Sequence, residues 1–197
     1  TTYFYRAKAT NDAGTSTGTH FHEATYFHWK FDDANGSSTA ADAANRVPGT
    51  IVGATANHAG KFGTALSFDG DDDYVTFGDV DELDTPETFT FSLWFNRRTN
   101  RGGGANDTNH LVNNVLLAQS SAGSNDNLEI GTEGTKLEIY VDSGNAGATD
   151  TTVNVEAGVT NGTWHHLALT YGQEMSVYLD GQRLQTWTQY NGKLDSS

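Results

Sequence analysis

The sequence predicts an all-β chain folded as an antiparallel β-sandwich. The strongest observation is residues 163–182, TWHHLALTYGQEMSVYLDGQ, where Leu167 and Leu169 and then Met175, Val177 and Leu179 fall at every second position. Gly172-Gln173 and Asp180-Gly181 supply the turns, so two hairpins share one strand. A second stretch points the same way: Phe89, Phe91, Leu93 and Phe95 alternate strictly with Thr88, Thr90, Ser92 and Trp94, marking a strand with one face in a core between two sheets. Composition agrees, with 22 glycines and only 18% charged residues in 197, a mix typical of turn-rich β proteins and long enough for one good core.

In chain order, Tyr3, Tyr5, Ala7 and Ala9 share a strand face, and Asn11-Asp12-Ala13-Gly14 turns the chain into a second polar strand. Residues 1–24 form a distinct piece from residues 25–197. Phe27, Trp29 and Phe31 then point one way and Tyr26, His28 and Lys30 the other, as in a half-buried strand. A loop is expected over 33–49, a short strand at Ile51-Val52, and a pair formed by residues 65–68 and 74–77 around the acidic turn Asp69 to Asp73. Residues 97–110 read as a mobile surface loop. Strands follow at 116–118, 128–130 and 137–141, then a polar stretch over 143–163.

These residues carry a resemblance. The run W-H-H-L-A-L-T-Y, a turn, then V-Y-L-D-G resembles the signature hairpin of laminin G-like and pentraxin-like domains, the concanavalin A-type jelly rolls. F-H-W-K-F-D-D at 27–33, G-K-F-G-T-A-L-S-F-D-G-D-D-D-Y-V at 60–75 and F-T-F-S-L-W-F-N at 89–96 match the same group in the same order. The first 24 residues resemble the last two strands of a fibronectin type III domain, with Tyr3 at that family's corner tyrosine. The resemblance implies further strands beyond Gln182 than GKLDSS supplies, so the chain is expected to be part of a larger surface protein with open sheet edges. Such edges permit self-association.

Charge narrows the partners. Asp+Glu number 25 against 11 Lys+Arg, and the formal net charge of -14 repels nucleic acid and anionic lipid headgroups while attracting cations. There is no cysteine, hence no disulfide or thiol chemistry, and no apolar run approaches the roughly 20 residues of a membrane helix. The first residues carry neither a basic start nor a hydrophobic signal segment.

Several residues are candidates for chemistry. Related jelly rolls include glucanases with three acids at alternate positions of one strand; here Glu129 and Glu133 flank Gly131 where the middle aspartate should stand, and Glu133-Gly134 reads as a turn. Catalysis is therefore not expected. The Ser124-Asn125-Asp126-Asn127 turn resembles the pentraxin turn whose Asp-Asn pair binds calcium, which implies Asp126 and Asn127 as metal ligands, although calcium wants six to eight oxygens. Asp69-Gly70-Asp71-Asp72-Asp73 has EF-hand spacing but Tyr74 and Val80 where the loop glycine and glutamate belong, and reads as a solvated turn. His20 and His22 assemble no zinc triad, and His165 and His166 belong to the hairpin, one inward and one outward.

Sugar binding needs exposed aromatic faces beside polar groups, and Trp187 and Tyr190 in Q-T-W-T-Q-Y-N-G have polar neighbours. The expected function is a non-catalytic extracellular adhesion module binding a glycan or an extracellular protein, with calcium a candidate cofactor and no membrane insertion. A structural subunit that assembles by strand completion into a fibre, sheath or surface layer is the alternative. A carbohydrate-binding part of a polysaccharide hydrolase is the weaker one.

Overall fold

The computed structural model describes residues 8–11, 14–17, 27–78, 80, 86–100, 112–121, 125–143 and 151–194, and every regular element among them is a strand. Strands β1 (Lys8–Asn11) and β2 (Gly14–Thr17) form a hairpin. Five short strands follow: β3 (Thr39–Ala40), β4 (Gly49–Val52), β5 (Thr55–Ala59), β6 (Thr64–Ser67) and β7 (Tyr74–Thr76). The longer ones are β8 (Phe89–Asn96), β9 (Leu117–Ser121), β10 (Asn125–Glu133), β11 (Lys136–Val141), β12 (Thr151–Glu156), β13 (Trp164–Tyr171), β14 (Met175–Leu179) and β15 (Gln182–Trp187).

Two four-stranded antiparallel sheets make the sandwich, one ordered β12-β11-β10-β9 and the other β15-β14-β13-β8. Because side chains alternate between faces, register decides which row reaches the core. Leu167 lies between Leu93 and Leu179, and Leu169 between Phe91 and Val177. On the facing sheet Ile130, Ile139 and Val153 form a row, beside Leu137 and Val155. These residues belong to one continuous core in which Leu167, Leu169, Met175, Val177, Ile130, Leu137 and Ile139 are wholly inaccessible. Each such side chain contributes about 1.5–3 kcal/mol by leaving water.

The signature hairpin is closed at Asp180-Gly181, where φ angles of 51° and 80° give the turn that matches strand twist. Asp180 does more than turn the chain. Its N–H donates to the His166 carbonyl, one carboxylate oxygen accepts the His166 N–H, and the other accepts from His165 Nδ1, each at 2.8 Å. The Thr160 N–H donates to His165 Nε2 at 3.2 Å, so the ring proton sits on Nδ1. His165 faces inward and is buried, whereas His166 faces outward, the division that alternation predicts.

The region before β8 departs from expectation. Residues 27–31 keep alternating burial but form one bridge, Trp29 to Asp42, rather than a strand, and Phe31 adopts φ 55°. Residues 65–68 and 74–77 do not pair with each other: β6 pairs with β5, and β7 pairs with β4 through Ile51 and Val75. The reason is local. Gly53, at φ 73°, lets β4 pass so close to the Asp73 carboxylate that no side chain fits between them. The acidic loop is meanwhile closed by side chains, the Asp73 carboxylate accepting the Asp69 N–H and the Asp69 carboxylate the Asp71 N–H, with no strand pair across it. The stretch 143–163 also contains β12, whose Val153 and Val155 alternate with Asn154 and Glu156. Tyr3, His20, His22 and all of the expected 97–110 loop beyond Asn100 lie outside the described residues.

Asp42 ties this region together. It is buried, and its two carboxylate oxygens accept the backbone N–H groups of His28, Ala44, Arg46 and Val47 at 2.8–3.1 Å. Trp29 is fixed beside it by an indole N–H bond to the Val47 carbonyl at 2.6 Å and by packing on Phe77. Burial pushes the Asp42 carboxyl up, but its four backbone donors outweigh that and hold it well below the usual carboxylate range. A depressed folded-state value means stability that is fully present above the unfolded value of about 3.9 and lost as pH falls below it. Asp42→Asn is therefore expected to lower the urea midpoint at neutral pH and to flatten its decline between about pH 4 and pH 2. Parallel unfolding curves for the two proteins across that range check this, and equal slopes would refute it.

Candidate functional site

At one side of the sandwich, β12 and β15 are the last strands of their sheets and lie against each other. Between them opens a cleft of ≈ 590 Å³ lined by Val153, Asn154, Val155, Glu156, Leu184, Gln185 and Trp187. Register explains its make-up. Trp187 pairs with Met175 and Gln185 with Val177, so both sit on the inward row of β15, facing the inward Val153 and Val155. A bulge between Val177 and Tyr178 adds Leu184 to the wall. The floor is apolar, while Asn154 and Glu156, paired with Glu138 and Lys136, belong to the outward row of β12 at the edge of the cleft. Glu156 is steered by Thr135 Oγ1 at 3.1 Å and Lys136 Nζ at 3.8 Å.

The two aromatic candidates separate here. Trp187 borders the cleft, half-buried, but Tyr190 is only 3% exposed and belongs to the core. The rings meet edge to face with centroids 6.4 Å apart, so Tyr190 backs Trp187 and offers no exposed stacking face of its own. Its polar sequence neighbours concealed this, because polar residues on an edge segment do not reveal which side chain folds inward.

The backbone places Asp126 and Asn127 in the first part of β10, not in a turn: Asp126 pairs with Ser120, and a register shift at Asn127 bulges the strand. Asp69, Asp72 and Asp73 bring one carboxylate oxygen each within 4.8 Å of one another. Asp69 and Asp73 already accept backbone N–H groups of their own loop, which accounts for the turn without an ion.

Glu133 lies on β10, paired with Lys136, rather than in the turn, so Glu129, Gly131 and Glu133 do share one strand face. The middle position is closed. A Cβ at Gly131 would collide with the Asn113 carbonyl, and the Asn113 N–H and side-chain amide both donate to buried Glu138, directly across from Gly131. Glu129 is itself fully buried and already engaged. Among the described residues no accessible acid pair faces a cavity here.

Two features escaped sequence reasoning. Arg97 reaches across one end of the sandwich, donating to Asn161, Asn100, Thr132 and the Gly134 carbonyl at 2.7–3.2 Å, and burial lowers its pKa. No local signal announces bonds to partners up to 64 positions away. Phe62, 75% exposed at the tip of the β5–β6 turn, meets Trp94 edge on, and Lys61 Nζ and His166 flank the same indole. The strict alternation of β8 placed Trp94 outward; its company could not be read.

A protein-family model described as the concanavalin A-like lectin/glucanases superfamily, Laminin_G_3, matches residues 69–196, most of the chain. The chain belongs to that superfamily. A comparison with curated proteins gives no match. The Laminin_G_3 match covers β7 through β15 and hence the whole sandwich, while β1 to β6 precede it. Laminin G-like domains often bind carbohydrate or protein and are generally not catalysts.

The blocked position in this Laminin_G_3 domain is open to a direct check. Gly131→Ala is expected to destabilise by about 1–3 kcal/mol through overpacking against Asn113, with Thr135→Ala within about 0.5 kcal/mol of the parent as a surface control. Urea unfolding followed by tryptophan fluorescence measures both, and a neutral Gly131→Ala would show that the Asn113 backbone is free to move away.

Proposed function

We propose that this chain is a non-catalytic recognition module of an extracellular or surface protein, acting by binding a glycan or a protein. The observation that carries this reading is the closed face at Gly131. A glucanase of this superfamily needs a row of accessible carboxylates, and the Asn113 carbonyl fills the place of the middle one. The exposed cleft at Trp187 supports binding instead. In this reading residues 1–24 belong to a preceding fibronectin type III-like domain, and calcium, if used, acts through Asp126 and Asn127.

Incubating the purified chain with a panel of insoluble and soluble polysaccharides tests the reading. Retention on at least one of them or on an extracellular matrix protein is expected, with no reducing ends released over a day. Release that grows with time and enzyme concentration would overturn it. Repeating retention with EDTA decides the calcium part: unchanged retention removes calcium from the proposal.

A second reading, assembly through an open edge, is favoured by β8. It is the terminal strand of its sheet, eight residues long, without a charge, proline or glycine, and its inward Phe89, Phe91 and Leu93 are only half-buried. Edges of that kind accept another strand unless blunted. If copies pair there, Ser92→Lys converts oligomers to monomers in light scattering while far-UV circular dichroism stays unchanged. Oligomers that survive the substitution refute pairing at β8.

A further inference from the structure

We propose that the aromatic corner formed by Phe62 and Trp94 docks a basic segment of a partner protein, taking a lysine or arginine side chain against the Trp94 indole. This rests on the recognition reading above, within which it names the partner's chemistry and the surface that meets it.

The corner is built from two distant pieces of chain. Residues 60–63 form a closed turn between β5 and β6, with the Gly60 N–H donating to the Gly63 carbonyl at 3.0 Å, and Lys61 and Phe62 stand at its tip. Trp94 lies on the outward row of β8, and His166, its partner on β13, packs beside it with ring centroids 5.0 Å apart. Phe62 meets the indole edge on, with centroids 5.8 Å apart and an interplanar angle of 86°, and both rings stay exposed to solvent. The β5–β6 hairpin is fastened to the same region a second time, because Arg98, just past β8, donates to the Phe68 carbonyl. Two attachments make the surface preformed, so little ordering is left for a ligand to impose.

Lys61 identifies what the corner takes. Its ammonium lies 4.8 Å from the Trp94 ring centroid, within cation–π distance, and it reaches there on an exposed and flexible stem. A cation that brings further contacts with it can take that place. The chain around the corner draws such a ligand in: Phe68 leads directly into Asp69, Asp71, Asp72 and Asp73, and the strand position beyond His166 is taken by the Asp180 carboxylate. Arg98, the other cation here, is already engaged with the Phe68 carbonyl.

Charge removes the competing occupants. A nucleic acid, an anionic lipid surface or a second copy of this chain, itself at -14, would meet repulsion from the same carboxylates. A neutral ligand would have to displace Lys61 while drawing nothing from those acids.

Titration of the ¹⁵N-labelled full chain with hexalysine, hexaarginine, an uncharged Gly-Ser peptide and hexaglutamate, followed by NMR, tests the site. Both cationic peptides are expected to shift the Trp94 indole N–H and the amides of 61–63, and the other two to leave them in place. Phe62→Ala and Trp94→Ala, at exposed positions, are each expected to keep the native spectrum elsewhere and to weaken binding about two- to fivefold. Lys61→Ala is expected to tighten it about twofold or more by vacating the indole. Lys193→Ala, at the opposite end of β8 beside Glu87, makes the same change of net charge and is expected to have a smaller effect. Equal tightening by the two lysine variants, indifference to both aromatic substitutions, shifts that spare Trp94, or a Trp94 shift with hexaglutamate or the Gly-Ser peptide would each overturn the proposal. Cationic peptide bound elsewhere defeats the corner and leaves the recognition reading standing, whereas reducing ends released from polysaccharide defeat that reading and leave the corner.

Discussion

The structure depends on β13 holding its place between β8 and β14. Its register carries Leu167 and Leu169 into two apolar rows that continue onto Leu93, Leu179, Phe91 and Val177. A slip by one residue would put His166, Ala168 and Thr170 into the core and turn both leucines to water. Asp180 guards against that slip, since its three bonds to His165 and His166 exist in one register only. With that sheet fixed, Ile130, Leu137 and Ile139 of the facing sheet have a complementary surface to pack on, and the edges β12 and β15 are brought side by side.

Two charged groups of the described residues, Asp42 and Arg97, are met by neutral hydrogen-bond partners. Asp42 accepts four backbone N–H groups, and among the described residues Arg97 is met by amide, hydroxyl and carbonyl oxygens. Each arrangement cross-links separate segments, Asp42 joining residue 28 to the 44–47 turn and Arg97 joining residues 100, 134 and 161 to Thr132 on β10. Hydrogen bonds to ions are stronger than neutral ones, which suits them to loops that bury little apolar surface.

The sequence was legible where one face is buried and the other wet. Periodicity of two located β8, β11, β13 and β14 because their inward residues are large and their outward ones polar. It failed where the signal is diluted: β12 has only Val153 and Val155 among Thr, Asn and Glu, and the apolar residues of β5 are alanines alone. The pairing of β7 with β4 depends on a glycine that admits a carboxylate, a contact no alternation predicts. Of the candidate site, Trp187 was legible as an aromatic among polar residues. Its neighbours Asn154 and Glu156 were not, since they come from another sheet about thirty positions away, and Tyr190 was misplaced because composition does not distinguish an edge facing solvent from one folding inward.

These features support the proposed reading as a binding module. A superfamily fold whose enzymes need an open row of acids here has that row closed by Asn113, while a preorganised indole lies in a cleft between two sheet edges. The most direct measurement is incubation of the purified chain with polysaccharides and extracellular matrix proteins, followed both for retention and for released reducing ends. The account predicts retention on at least one of them without release. Release that grows with time and protein concentration would contradict it.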